Sequence, residues 1–447
     1  MKKIFTENNL INIILLLSFF GFGLYLVTGN VLFGINPLIK QPFWLIIFLF
    51  CLTLLFLLCI FAYNIYKHKY QPSLKIGIFL SVIFIIGMIT LLVFPSKKIF
   101  NFILPDKQIE IVSYELSNIS RSQYIFQYFV LLCMFFVIVD TIPKIFDFDV
   151  PFFLSIICVS IVTILMIISY FKDFESYINI FKNLNTDHFY IYKIRSVFVN
   201  ENSYAAIIFA GLFATLYLHS KNSKFYWYII DAFLLLNILL TMCKTVIICG
   251  FILNVAYLLS RFFITLKEHK KRNIVAISII APLLLVFFIS QPILYFNNEF
   301  AHTFISNFFD NNGFASMKSR FDLYKYSFNI INQTSLLFGT GYHVSSDVMF
   351  SLCGTPFMHN GLLELLTSGG IVLLTCGILI LAFLIWQIIK NFKKHIVGCS
   401  RTIVFIAVML IYMLVESGSM LFPGTLEFAF VSMIIFVPVM KVYFINN

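Results

Sequence analysis

About twelve apolar runs, each long enough to cross a hydrocarbon layer of roughly 30 Å, restrict this chain more than any other feature. They fall at residues 10–28, 42–63, 76–94, 124–141, 151–171, 203–219, 225–242, 245–264, 274–294, 361–389, 402–422 and 426–444. Inside a bilayer each segment must satisfy its own backbone amides, which makes the helix the default form. Apolar residues make up 60% of the 447 and charged residues only 11%, about half of what a soluble chain needs to cover its surface. The expected fold is an all-α polytopic membrane protein. No internal repeat or low-complexity linker divides it, so residues 1–447 read as one membrane domain. MKKIF and the run behind it lack a small-residue cleavage site, which points to an uncleaved first span.

Lys and Arg set the expected orientation. Lys2-Lys3 and residues 66–75, 219–224, 266–273 and 390–395 are short, basic and nearly free of acid. They belong inside, with both termini. Longer loops at 95–122, 172–202 and 295–360 then face outward, the largest lying between spans nine and ten. The formal charge of +11 follows in part from this bias, and no aromatic–basic module calls for nucleic acid. Nine scattered cysteines without a CxxC pair imply neither a disulfide framework nor a zinc site. His302, His343 and His359 lack metal-binding spacing. The single DFD, at 147–149, falls on the inner side, where it ends a short loop. No G-x-S-x-G elbow offers a nucleophilic serine. A metal-independent reaction without a cofactor is expected.

The outer loop at 295–360 is long enough to expect a function. FASMKSRFDLYKYSFNII (314–331) has helical spacing, with Phe321, Tyr324, Phe328 and Ile331 on one face. It could lie on the membrane surface with Lys318, Arg320 and Lys325 among head groups. LLFGTGYHVSSD (336–347) reads as a tight turn around Gly339 and Gly341. GTPFMHNGLLELLTSGGI (354–371) then sets His359, Asn360 and Glu364 within about one and a half turns of a helix mouth. Titratable groups there are costly unless they face water or a partner.

Together these motifs resemble the O-antigen ligase/polymerase superfamily. The match consists of an Arg in an outer amphipathic segment, a GTG turn some twenty residues on, and HNGLLELLTSGGIVLL opening a span. IRSVFVNENSYAAIIFAGLF (194–213) adds Arg195 and an Asn-x-Asn-x-x-Ala pattern at Asn200, Asn202 and Ala205. Two departures are visible: Glu201 stands where relatives often carry Pro, and Cys243-Lys244 where many carry Ser-Arg. Lys244 supplies a point charge without the guanidinium fork.

The resemblance implies glycan transfer from a polyprenyl-diphosphate-linked oligosaccharide at the outer face of a bacterial cytoplasmic membrane. Charge grows on the departing diphosphate, and preorganised cations lower that barrier. Arg195 and Arg320 suit this work, unless they pair with Asp187 or Asp322. The attacking hydroxyl must lose a proton. His359 at a helix N-terminus is held neutral by the dipole and suits a general base, or it orients a phosphate or sugar. Glu364 holds Asn360 or another polar neighbour in place, or binds a sugar hydroxyl. Asn202, Lys244, Gly339, Gly341, Tyr342, Asn360 and Glu364 complete the expected substrate contacts. Heavy use of Ile, Phe, Asn, Lys and Tyr suits a low-GC bacterium making capsule or exopolysaccharide. That tilts the reading to a polymerase, with a ligase as the alternative and a lipid-linked oligosaccharide flippase as the other class. Membrane lipids, a chain-length regulator and a flippase of the same pathway are the expected partners.

Overall fold

A computed structural model describes residues 6–28, 43–68, 70–103, 109–182, 192–198, 201–222, 224–268, 313–354, 358–417 and 425–446. The expected ninth span, His302 and Asp187, Asn200 and Lys2-Lys3 lie outside the described residues. Nine described helices are long and apolar enough to cross a membrane. The chain gathers into two compact units. Unit 1 comprises 1–156, 322–388 and 409–447, and unit 2 comprises 157–321 and 389–408.

The helices begin with α1 (Glu7–Thr28), α2 (Phe43–His68) and α3 (Leu74–Val93). A hairpin follows, β1 (Lys97–Ile103) and β2 (Ile109–Glu115), then α4 (Asn118–Phe136), a π turn (Val137–Thr141) and the short α5 (Ile142–Ile145). Next come α6 (Val150–Lys172), α7 (Phe174–Lys182), α8 (Glu201–Lys221), α9 (Tyr226–Leu240) and α10 (Lys244–Glu268). The rest are α11 (Gly313–Asn332), α12 (Val344–Cys353), α13 (Gly361–Asn391), α14 (Ile396–Val415) and α15 (Leu426–Asn446). The division expected around Cys243-Lys244-Thr245 is a turn of three residues, with Met242 at φ 56°. DFD closes a short loop as expected: Asp149 Oδ1 accepts the Phe152 N–H at 3.1 Å and caps α6.

In unit 1, α4 is the central helix, with 78% of its most apolar stretch buried against 17% for α3. The exposed Ile78, Val82, Ile85 and Ile89 of α3 make sense only against acyl chains. The π turn puts Asp140 out of solvent altogether. Lys144 neutralises it at 2.6 Å and the Tyr70 hydroxyl donates to it at 2.5 Å, so this buried charge is fully partnered.

The 95–122 loop is not irregular. Its KKIFNFI and IEIVSYE stretches alternate, and they pair antiparallel with Phe100 opposite Val112. Phe100, Phe102, Val112 and Tyr114 turn into a cluster with Leu91, Tyr326, Ile330, Val344 and Met349. Each buried Phe contributes about 2–3 kcal/mol. Gln333, in the turn just after α11, pairs with the Asn101 backbone as a further strand would, accepting from its N–H at 2.9 Å and donating to its carbonyl at 2.8 Å.

α11 forms where its spacing predicted, but only part of the expected face is covered. Phe321 and Phe328 are exposed, Tyr324 is half-buried and Ile331 is buried, while Leu323, Tyr326 and Ile330 join the cluster. The helix has apolar residues on several sides, and the hairpin, through the edge-on Phe102–Tyr326 contact at 5.9 Å, selects the row that is covered.

Unit 2 is built on α8, whose most apolar stretch is 89% buried. Its small residues allow neighbours to come close: a Cβ on Gly211 would already sit 3.2 Å from Val162.

Candidate functional site

The mouth of α13 is fastened by hydrogen bonds. Asn360 Oδ1 accepts the N–H groups of Leu362 and Leu363, both at 3.0 Å, an N-cap worth about 1 kcal/mol. Its Nδ2 donates to the Leu414 carbonyl at 3.1 Å. Asn360 is therefore held by the helix it opens and by α14, and its amide does not pair with Glu364. His359 is left-handed at φ 50°, a region where histidine is enriched. Its N–H donates to Ser417 Oγ at 3.0 Å, and the Gly361 N–H donates to the Glu416 carbonyl at 3.1 Å. The Tyr324 hydroxyl lies 3.1 Å from the His359 carbonyl and 3.2 Å from that of Leu414.

These ties aim the His359 ring at a carboxylate. Nδ1 lies 3.0 Å from Glu416 Oε2, with the side chains 24% and 12% exposed. A carboxylate at Nδ1 holds the ring proton there and makes Nε2 the nitrogen that carries the lone pair. The imidazole is thus both oriented and provided with a counter-charge for the protonated form.

The GTG turn meets the same helix further along. Gly370 adopts φ 63°, ψ −164° and breaks α13 internally. A break at membrane depth strands backbone groups, and the turn takes up four of them. Thr340 and Gly341 donate to the carbonyls of Thr367 and Ser368 at 2.8 and 2.9 Å. Ile371 and Val372 donate to those of Leu336 and Leu337 at 3.0 and 3.3 Å. Contact is backbone to backbone: a Cβ on Gly339 would fall 2.5 Å from Thr367 O, and one on Gly370 2.2 Å from Leu337 O. Gly339 and Gly341 therefore have a structural task whether or not a substrate also meets them. Tyr342 stacks on Tyr128 with ring centroids 5.6 Å apart. Burial raises its hydroxyl pKa, with the nearby Glu364 carboxylate adding to the effect. Asp347 accepts hydrogen bonds from Tyr114, at 3.0 Å, and from Tyr124. Burial lowers the pKa of His343, and Asp347 opposes that shift.

Unit 2 holds the other expected residues: Arg195, Asn202, Lys244 and Arg320. Arg195 is exposed and lies in a turn that Asp173 organises. One Asp173 oxygen accepts the Arg195 and Ser196 N–H groups, at 3.0 and 2.7 Å, and the Ser169 hydroxyl at 2.9 Å. Lys172 donates to the Ser196 carbonyl at 2.7 Å. A cavity of about 590 Å³ opens beside this turn, lined by Lys172, Lys193, Arg195, Asp173, Glu175 and Glu201 among others. Lys193 pairs with Glu201 at 2.6 Å. Lys193 also lies within electrostatic reach of Lys244, and Arg195 within reach of Glu201. Next to Lys244, Thr245 Oγ accepts from Arg320 Nη1 at 3.3 Å. Asp322 pairs with Lys325 at 3.1 Å.

Unit 2 thus draws Arg195, Lys193, Lys244 and Arg320 towards the first turns of α8 and α10. Helix N-termini there add partial positive charge from their unsatisfied N–H groups. Asn202 is exposed in the first turn of α8. The acids on the cavity wall balance the cations in number. Asp173, however, is turned to the backbone and Glu201 to Lys193, so the arrangement can still receive an anionic group.

Sequence reasoning missed Lys172, Asp173, Lys193, Thr245, Glu416 and Ser417. Glu416 did give a signal, since it interrupts the apolar run at 402–422, and an acid at membrane depth is a functional candidate. Asp173 gave none, because its partners are two backbone amides and a serine hydroxyl.

Residues 229–378 match the family model described as O-antigen ligase. That stretch includes Lys244, Arg320, Gly339, Gly341, Tyr342, His359, Asn360 and Glu364; Arg195, Asn202 and Glu416 fall outside it. No curated protein matches the chain.

Proposed function

We propose, from the premise that this multi-pass membrane protein belongs to the O-antigen ligase/polymerase superfamily, that it is a polysaccharide polymerase. It would join polyprenyl-diphosphate-linked oligosaccharide units at the outer face of a bacterial cytoplasmic membrane. The observation that carries this reading is the His359–Glu416 pair at the mouth of α13. A ring whose Nδ1 is held by a carboxylate is a proton acceptor with its orientation and tautomer already set.

In the step we assign, a sugar hydroxyl of the acceptor attacks the anomeric carbon of the donor. Its proton passes to His359 Nε2. The bond from that carbon to the diphosphate oxygen breaks, and the electron pair leaves with the lipid diphosphate. Arg195 and Arg320 receive the growing negative charge, with Lys244 as a further point charge. Asn202, Tyr342 and Glu364 are assigned to sugar hydroxyls, and Gly339 and Gly341 to positioning through the broken helix. No metal is required by this scheme. The family model's own description favours a second reading, a ligase that moves a finished glycan to another acceptor through the same donor chemistry.

Surface polysaccharide from cells lacking the protein separates these readings. Loss of long chains with single-unit products retained is the expected result. Full-length glycan left unattached would replace polymerase by ligase, and intermediates trapped inside would indicate a flippase. The orientation, with both termini inside, rests on the basic short segments. Cys353 is exposed at the end of α12 and should react with an impermeant maleimide on intact cells. Reaction only after permeabilisation would reverse the topology.

A further inference from the structure

We infer that unit 2 carries a binding site for the phosphate of an anionic phospholipid, at the end of its helices remote from Arg195 and Lys244. α8 has 21 residues from Glu201 to Lys221, about 31 Å at 1.5 Å per residue. The C-terminal parts of α8 and α10 therefore lie roughly a membrane thickness from the cation group described above. A second polar cluster is built there.

Its centre is Arg401 of α14, only 4% exposed. The guanidinium lies 3.9 Å from the centroid of the Tyr217 ring, and Nη1 donates to Ser220 Oγ at 2.5 Å. Arg401 Nε is buried, and no acceptor meets it among the described residues. No described carboxylate forms an ion pair with Arg401. Beside it, His219 is 3% exposed. Its Nδ1 meets the Tyr257 hydroxyl at 2.8 Å, while Nε2 is buried and likewise without a partner among the described residues. Arg261 acts electrostatically on both His219 and Tyr257. Lys221 lies 5.7 Å from the Tyr217 ring centroid.

A buried guanidinium N–H with no acceptor costs about 1–3 kcal/mol or more, and its charge raises that cost. A phosphate oxygen would satisfy the donor and the charge together, in the forked geometry that Arg favours. The surroundings point to lipid as the source of that phosphate. Phe225, Tyr226 and Tyr228 are exposed at the start of α9, as in the aromatic girdle that marks the head-group level. Lys221 and Lys224, just before them in the chain, are exposed, as are Lys393 and Lys394 ahead of α14, and basic pockets between helices at this depth take anionic head groups. Among the described residues, Asp231 is the buried acid close enough to act on Tyr257, and Arg261 and Arg401 act on this tyrosine as well.

The test uses the full chain in nanodiscs of phosphatidylcholine with rising fractions of phosphatidylglycerol, reading thermal unfolding. Wild type should be stabilised as phosphatidylglycerol rises. Arg401→Gln should need about fivefold more anionic lipid for the same shift, in keeping with one lost cation at a lipid surface. Lys221→Gln alters an exposed side chain and should move the same way, so the test stands even if the Arg401 variant does not fold. Equal responses in wild type and Lys221→Gln, or no response to phosphatidylglycerol, would overturn the site. Millimolar inorganic phosphate should have no effect in pure phosphatidylcholine. If it reproduces the stabilisation, the group bound is a soluble anion and the lipid assignment fails.

Discussion

Arg320→Ala is expected to remove long-chain glycan while leaving the amount of protein and of lipid-linked single units unchanged. With purified protein and lipid-linked donor, the transfer rate should fall on the order of 10²–10³-fold, as when a preorganised transition-state contact is deleted. The geometry makes this more than a charge argument. One guanidinium nitrogen, Nη1, is held on Thr245 Oγ at 3.3 Å, so the fork is oriented before any substrate arrives. Arg320→Lys keeps the charge but loses the fork, and should remain impaired by at least about tenfold. Thr245→Val removes the anchor alone and should cost less than either. Near-full activity in the lysine variant would reduce Arg320 to a general electrostatic role. Normal chain length in the alanine variant would remove it from the mechanism.

The sequence made the helices legible because bilayer thickness and backbone satisfaction leave few alternatives. The run predicted at 361–389 became α13 at Gly361–Asn391, and the one at 151–171 became α6 at Val150–Lys172. The break at Gly370 was hidden inside the former. TSGG lies in an unbroken apolar stretch, and only the LLFGTG turn, some thirty residues earlier, shows where the stranded amides find partners. The hairpin at 97–115 was lost for the opposite reason. Its two seven-residue alternations are short, and much of the face that covers them comes from α11 and α12, which are distant in the chain.

The site followed the same rule. His359 and Asn360 stood out because polar residues at a helix mouth demand a reason. For Asn360 the reason is largely structural, since its amide caps α13 and ties it to Leu414. His359 keeps a side chain with chemistry to spare, and what makes it useful is Glu416, 57 residues on. No local spacing connects the two. The cationic residues of unit 2 were likewise visible one by one, while the Asp173 turn and the Lys193–Glu201 pair that arrange them depend on the fold.

Glu416→Gln is the sharpest test of the proton-transfer assignment, and a rate loss on the order of 10² or more is expected. The substitution is nearly isosteric. The Glu416 backbone carbonyl, which accepts the Gly361 N–H, remains in place, so the helix mouth need not loosen. A glutamine oxygen can still accept from Nδ1, but it brings no negative charge to stabilise the imidazolium formed when Nε2 takes the acceptor proton. Its NH₂ face can also fix the wrong tautomer. Thermal stability should therefore stay near wild type while the turnover rate falls more than the apparent affinity for donor. Glu416→Asp restores the charge and should recover part of the rate. His359→Ala should cost at least as much, and adding Glu416→Gln to it should cost little more, since the two act as one unit. Wild-type turnover in Glu416→Gln would show that the pair serves only to staple the end of α14 to the start of α13, and proton acceptance would then have to be assigned elsewhere.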